Sequence, residues 1–206
     1  MVKFREDIFT TQFDRIIYCH PAHLLEKNRD FVQQLRNEFP KLEVCIGLPD
    51  VNTLNLESNI LPCLLLLDDL MNDILHSETM LELFVSKVHH YNISTCFTLQ
   101  NYYAESKFGK THMKNCPYRV FFYNRIELQE LAKISTQISN SANFLYSNFQ
   151  FLYQNFPSEA SPYILIDGHF RTPLRELWCR SNIFPDTKNG EITPVYFFPN
   201  LNRKKK

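Results

Sequence analysis

Two adjacent acids at the end of an apolar run are the residues of this chain best placed to do chemistry. Leu61 to Leu67 (LPCLLLL) is followed at once by Asp68 and Asp69. A continuous apolar stretch closed by acids is the pattern of a strand buried on both faces, with carboxylates at its carboxyl end. Such a pair suits a Mg-nucleotide site, in which one carboxylate holds the cation or its water and the other orients or deprotonates the attacking water. The same dipeptide also serves simply to cap a following helix. A second strand-like run, Ile93 to Leu99 (ISTCFTL), ends in Gln100-Asn101. A neutral amide there can report a γ-phosphate or position water without adding charge to the site, or can be an ordinary surface amide. Acids and amide at two strand ends, with a helix between, are more specific than either alone.

Other candidate groups are weaker. Ala104 to Thr111 (AESKFGKT) formally satisfies a relaxed phosphate-loop spelling, with Ala where the first Gly usually stands. A working loop follows a buried strand directly and opens a helix whose N-terminus faces the phosphates. Here HMKNCP follows, with Pro117 expected to close the segment against a helix, so it reads as a basic loop. His89 and His90 are adjacent, and neighbours on a helix point about 100° apart, which makes joint ligation of one ion awkward. His20 and His23 flank a turn at Pro21 and are expected at the surface. Tyr163 to Asp167 (YILID) is a further apolar strand closed by an acid.

The elements that must position these groups can be read from periodicity. Arg15 to Cys19 is β-rich, Leu24 to Phe39 spaces its apolar residues helically, and Leu42 to Ile46 is a second short strand closed by Gly47-Leu48-Pro49-Asp50. Ser77 to His90 begins at a plausible N-cap and places Met80, Leu81, Phe84 and Val88 on one helical face. Tyr118 to Tyr123 predicts a strand, Glu127 to Ile138 and Ala142 to Phe156 predict helices. Strands alternate with helices throughout, so an α/β protein with a mostly parallel sheet flanked by helices is expected, its functional groups gathered at the carboxyl ends of the strands.

Composition narrows the class without deciding the function. With 206 residues, 44% hydrophobic and 21% charged, the chain can bury a sizeable core, and one domain over residues 1–200 with a short basic tail, 201–206, is expected. The 22 basic residues balance the 22 acidic ones, so nucleic-acid binding would need a local patch or a ring of subunits. Only 4 glycines leave few positions for glycine-dependent phosphate loops. The six cysteines are dispersed with no Cys-x-x-Cys, which reads as reduced thiols. With no signal-peptide pattern and no run near the ~18 apolar residues of a membrane span, an intracellular protein of cytoplasm or nucleus is expected.

The order LLLLDDLM (Leu64 to Met71), LELFVSKVHHYNISTCFTLQNYY, YRVFFYNRIELQELA, PYILIDGHFRTP and NIFP (Asn182 to Pro185) resembles one family from about Phe4 to Phe198. It is similar to the DNA-packaging ATPases of Maverick/Polinton-type transposons and related adintovirus-like elements, in the FtsK/HerA division of P-loop ATPases. The resemblance implies an ASCE-type P-loop sheet. It implies that Asp68 is the Mg2+-binding acid, Asp69 the catalytic acid and Gln100 the polar sensor, with ATP as the nucleotide. It also implies ATP-driven translocation of double-stranded DNA into capsids by a ring of subunits, with capsid proteins as further partners.

The chain departs from that family in two places. The family puts a first strand and a Gly-Lys-Ser/Thr loop upstream of a helix, and this chain begins at Met1 about where that helix would end. No residue is therefore expected to bind phosphate as the loop lysine does, and a P-loop sheet lacking its first strand, inactive as the isolated chain, is the expectation. Where family members commonly carry an arginine able to serve a neighbouring subunit, this chain has Lys110, a poorer bidentate phosphate partner, although Arg125 is retained further on. Two alternatives stand beside this reading: a domesticated, non-catalytic module that keeps the sheet to bind DNA or protein, and an unrelated enzyme using Asp68, Asp69 and Asp167.

Overall fold

A computed structural model describes residues 9, 12–51, 62–88, 91–102, 106–124, 126–156, 162–169, 171–172, 179–183 and 193–198. Arg125, His89, His90 and the tail 201–206 lie outside the described residues. The chain is mixed α/β and divides into two compact units, Met1–Asn115 and Cys116–Lys206. The sequence suggests no boundary near Asn115.

In the first unit, strands β1 (Arg15–His20), β2 (Glu43–Ile46), β3 (Cys63–Leu67) and β4 (Ile93–Phe97) form an all-parallel sheet in the order β2-β1-β3-β4. Ile17 pairs with Leu65 and Glu43, and Leu65 with Thr95, so the carboxyl ends of all four strands share one edge. Side chains alternate across each strand. Ile16, Tyr18 and Leu64 face one side, packed with Phe13 and Leu42 and with the half-buried Val32, Leu35 and Phe39. Val32 and Leu35 belong to helix α1 (Arg29–Glu38), which ends where Phe39 turns extended before Pro40. Ile17, Cys19, Cys63, Leu65 and Leu67 face the other side, against Leu70, Ile74, Met80, Leu83 and Phe84. Covering on both faces is why β3 is apolar at every position.

The residues after β3 form two short helices, α2 (Met71–His76) and α3 (Glu78–Glu82), separated by Ser77. Ser77 takes extended backbone, ending α2, and its hydroxyl accepts from the Met80 N–H at 3.2 Å, capping α3. The chain then runs on as a π-helical turn, Leu83–Lys87. The helix expected from Ser77 is thus present with a wider turn in it. Pro117 was expected to keep the segment before it out of a helix, but Gly109–Lys114 forms helix α4. Its Gly109 and His112 are buried, and the imidazole meets the Phe84 ring edge-on at 4.9 Å. The helix buries Gly109 and His112 beside Phe84, and Pro117 is far enough downstream to permit it.

The second unit departs from the expected parallel order. Strands β5 (Tyr118–Phe122), β6 (Tyr163–Asp167), β7 (Cys179–Ser181) and β8 (Val195–Tyr196) pair antiparallel in sequence order. Between β5 and β6 lie two helices, α5 (Leu128–Ile138) and α6 (Phe144–Asn155), packed on each other across a short link. A single crossover helix returns the chain to make a parallel strand, whereas a helical hairpin adds one reversal and the next strand enters antiparallel. Leu131, Ile134, Ser135 and Ile138 form the buried stripe of α5, and Leu145, Phe149 and Leu152 that of α6. The Ser135 hydroxyl pins the pair, donating to the Leu131 carbonyl at 2.7 Å and accepting from the Leu145 N–H at 3.2 Å.

All six cysteines are free, with Cys19, Cys63 and Cys179 buried. Among the described residues no helix is long and apolar enough to cross a membrane.

Candidate functional site

In the first sheet the chain passes from β1 outward to β2, then returns to lay β3 on the other side of β1. Such a reversal leaves a crevice outside the carboxyl ends of the two diverging strands, the usual place for ligands in open α/β sheets. Asp68 and Asp69 stand there. Asp68 continues β3, its N–H donating to the Cys19 carbonyl at 2.9 Å. Its side chain lies on the Tyr18 face, because the buried Tyr18 hydroxyl donates to Asp68 Oδ2 at 2.7 Å. From the other flank the Thr98 hydroxyl donates to Asp68 Oδ1 at 3.2 Å. Thr98 directly follows β4, and its N–H, donating to the Leu67 carbonyl at 3.1 Å, carries the parallel pairing to the site.

Asp69 leaves the strand. Its φ of 55° is left-handed backbone, which Asp tolerates better than most residues. The turn brings its N–H to the Thr98 hydroxyl at 3.0 Å and points its carboxylate along the strand ends, where Oδ1 accepts from Gln100 Nε2 at 2.6 Å. The three residues singled out in the sequence, Asp68, Asp69 and Gln100, are therefore brought together. Lys110 is exposed on α4 and is not among the hydrogen-bond partners of this cluster. Arg125, the other basic candidate, lies outside the described residues.

Three participants were not singled out from the sequence, and a fourth was expected elsewhere. Tyr18 and Thr98 contact Asp68 directly, and Asn28, just before α1, donates from Nδ2 to the Tyr18 hydroxyl oxygen at 3.2 Å. His20, expected at the surface, is wholly buried at the end of β1, its ring 5.4 Å from that of Tyr18 and its Nδ1 3.0 Å from the Pro21 carbonyl. Nδ1 donates in that contact, and among the described residues Nε2 is buried with no hydrogen-bond partner. The period of two puts Ile16, Tyr18 and His20 on one face of β1, which was the available signal for Tyr18 and His20. Nothing local marked Asn28.

Burial first, and then the bond to Asp68, push the Tyr18 phenol well above its usual value, so it remains a neutral donor. Among the described residues the donors meeting Asp68 are both neutral hydroxyls, which add no positive charge beside it. Carboxylate, hydroxyl and amide oxygens form a hard donor set of the kind Mg2+ takes, with one or two carboxylates and retained waters. Among the described residues no three His, Cys, Asp or Glu side chains converge to hold a metal unaided. A shallow depression nearby is bounded by Gly47, Leu48, Asn72, Asp73, His76 and Ser77 and does not include the two acids.

The AESKFGKT segment does not offer a phosphate cradle in its described part. The Gly109 N–H that opens α4 donates to the hydroxyl of Ser106 at 2.9 Å, and Lys107 pairs with Glu78 at 2.8 Å. In the second unit, Asp167 is committed to its own turn: it accepts from the Thr172 hydroxyl at 2.9 Å and the His169 N–H at 3.1 Å, and pairs with Arg180 at 3.3 Å.

Compared with protein-family models, with curated proteins and with solved structures, the chain matches none.

Proposed function

We propose that the first unit carries the cation and sensor half of a Mg-nucleotide site, as in the DNA-packaging ATPases that its motifs resemble. Asp68 would hold Mg2+ or its water shell, Asp69 would orient and deprotonate the attacking water, and Gln100 would hold Asp69 in register and sense the terminal phosphate. The observation that carries this reading is the joining of two strand ends by their functional groups: Asp68 to Thr98, and Asp69 to Gln100. The bound cation would supply charge neutralisation on the phosphates; the chain's own residues supply orientation and a base.

A phosphate cradle needs backbone donors and a lysine facing the β- and γ-phosphates. The described residues near Asp68 present neither, so we expect the chain by itself to bind Mg-ATP weakly and not to turn it over. Completion by a further segment, assembly as a ring on double-stranded DNA at a capsid, and service by Lys110 or Arg125 to a neighbouring subunit belong to the same proposal.

The test is calorimetric titration with Mg-ATP of this chain and of a version extended by any upstream coding sequence. Binding by the extended version, with turnover lost and affinity kept in its Asp69→Asn variant, supports the reading. Binding by the chain as given that disappears in Lys110→Ala moves the phosphate site to α4 and overturns it. The alternative of a non-catalytic DNA- or protein-binding module draws on a different observation: every oxygen contact of Asp68 and the Asp69–Gln100 bond are satisfied within the chain, as in a cluster that only braces the sheet. Absence of nucleotide binding in both versions favours it.

A further inference from the structure

We infer that Tyr18 is the positioning residue of Asp68: its hydroxyl, itself held by Asn28, fixes the direction in which the carboxylate presents its remaining lone pairs to a divalent cation. This rests on the reading of Asp68 as the cation-binding acid.

An aspartate at a strand end can rotate about two side-chain bonds, and a carboxylate that rotates offers a cation no fixed ligand. Here the carboxylate is gripped from both flanks. Tyr18 on β1 donates to Oδ2 at 2.7 Å and Thr98 after β4 donates to Oδ1 at 3.2 Å, so one bond reaches in from each neighbouring strand. Each oxygen keeps acceptor capacity beyond the bond it makes. Of the two donors, Thr98 is exposed and Tyr18 is 2% exposed. The buried one sets the geometry: its ring packs beside that of His20, centroids 5.4 Å apart, and edge-on to that of Phe31, 5.7 Å away. Asn28 completes the arrangement by donating to the hydroxyl oxygen at 3.2 Å, which directs the phenolic proton toward Asp68.

The chemistry of the donor matters as much as its place. A guanidinium or ammonium in this position would cancel the charge a cation needs, as Arg180 does for Asp167. A phenol orients the carboxylate and adds no positive charge beside it. Hydrogen-bonded partners of metal-binding carboxylates typically change metal affinity by about 10- to 100-fold when removed.

The experiment titrates Mn2+, as a spectroscopic stand-in for Mg2+, into the full chain and follows free Mn2+ by electron paramagnetic resonance. Alongside, the near-ultraviolet difference spectrum reports the tyrosines. Tyr18→Phe keeps the ring and removes only the hydroxyl. The expected result is Mn2+ binding abolished by Asp68→Asn and weakened about tenfold by Tyr18→Phe, with a tyrosine difference band on Mn2+ addition that is present in the wild type and lost in Tyr18→Phe. Asn28→Ala, which leaves the phenol in place, should weaken binding in the same direction by a smaller factor, and it serves as the readout if Tyr18→Phe does not fold. Binding that needs Asp68 but is unchanged in Tyr18→Phe, or in Asn28→Ala where that is the variant read, overturns the inference and leaves the cation reading standing. Wild-type binding that is absent, or that survives Asp68→Asn, overturns the cation reading and the inference with it.

Discussion

Two strands of this molecule are apolar runs closed by an acid, and their acids have opposite fates. At the end of β3, Asp68 is half-buried and meets two neutral hydroxyls. At the end of β6, Asp167 is 4% exposed, paired with Arg180 and bonded to Thr172 and the His169 N–H. The difference follows from strand direction. In the parallel sheet every carboxyl end lies on one edge, so Asp68 finds Thr98 from the end of β4 and Tyr18 from β1, while Asp69 beside it finds Gln100. In the antiparallel sheet the neighbours of Asp167 are the start of β5, where it faces Tyr118, and a strand carrying a cation. An acid at a strand end gathers functional partners only when the neighbouring strands end there too.

The sharpest way to break this comparison is to remove each acid in turn. Asp167→Ala removes the carboxylate that pairs with Arg180, whose side chain is 17% exposed, and should destabilise the second unit by about 3 kcal/mol, the low end for a broken buried pair. Urea denaturation followed by far-ultraviolet circular dichroism reads it. Asp68→Ala should cost less, about 1 kcal/mol: the exposed Thr98 hydroxyl can turn to water, and the penalty is that of the Tyr18 hydroxyl left without its acceptor. Equal losses in the two variants would make Asp68 a structural acid of the same kind as Asp167.

Smaller effects sharpen the contrast at the other end of the sheet. Arg15 and Glu43 pair through two bonds of 2.5 and 2.7 Å across β1 and β2, where both side chains are partly exposed. The side-chain bond from Arg15 holds the Glu43 carboxyl below its usual range. A lowered folded-state pKa means stability that is fully present above the ordinary carboxylate range and is lost as pH falls through the lowered value. Solvent screening limits it, so Glu43→Gln should cost about 0.5 kcal/mol at neutral pH and nothing in strong acid, read from urea midpoints across pH. Gln100→Ala, at an exposed position, should change stability by less than about 0.5 kcal/mol by the same measurement.

The first sheet was legible because a parallel strand covered on both faces must be apolar throughout, and Leu61 to Leu67 with its two acids is such a run. Ile93 to Leu99 gave its partner, and the meeting of Asp68, Asp69 and Gln100 followed from their places at strand ends. The reversed direction of β6 was not legible: it depends on two helices packing as a hairpin through Ser135 and Leu145, a tertiary event that periodicity does not record. The short strands Cys179–Ser181 and Val195–Tyr196 are too brief to show alternation. Around the site, Tyr18 and His20 belonged to a strand already expected, but which face they share with Asp68 depends on the register of β1 against β3. Asn28 enters from a helix start, and no local pattern assigns it a partner ten residues back.

The left-handed turn at Asp69 has a consequence for how this site can be dissected. With φ at 55°, the position accepts Asn or Gly with little backbone penalty, whereas Ala, Glu or any β-branched residue there carries a cost of about 1 kcal/mol or more. Asn preserves shape and bend while erasing charge. Gly preserves the bend alone, and Ala disturbs bend and charge at once. Read as a series, the three replacements separate what the carboxylate contributes from what the bend contributes, at the one residue where β3 hands the chain over to α2.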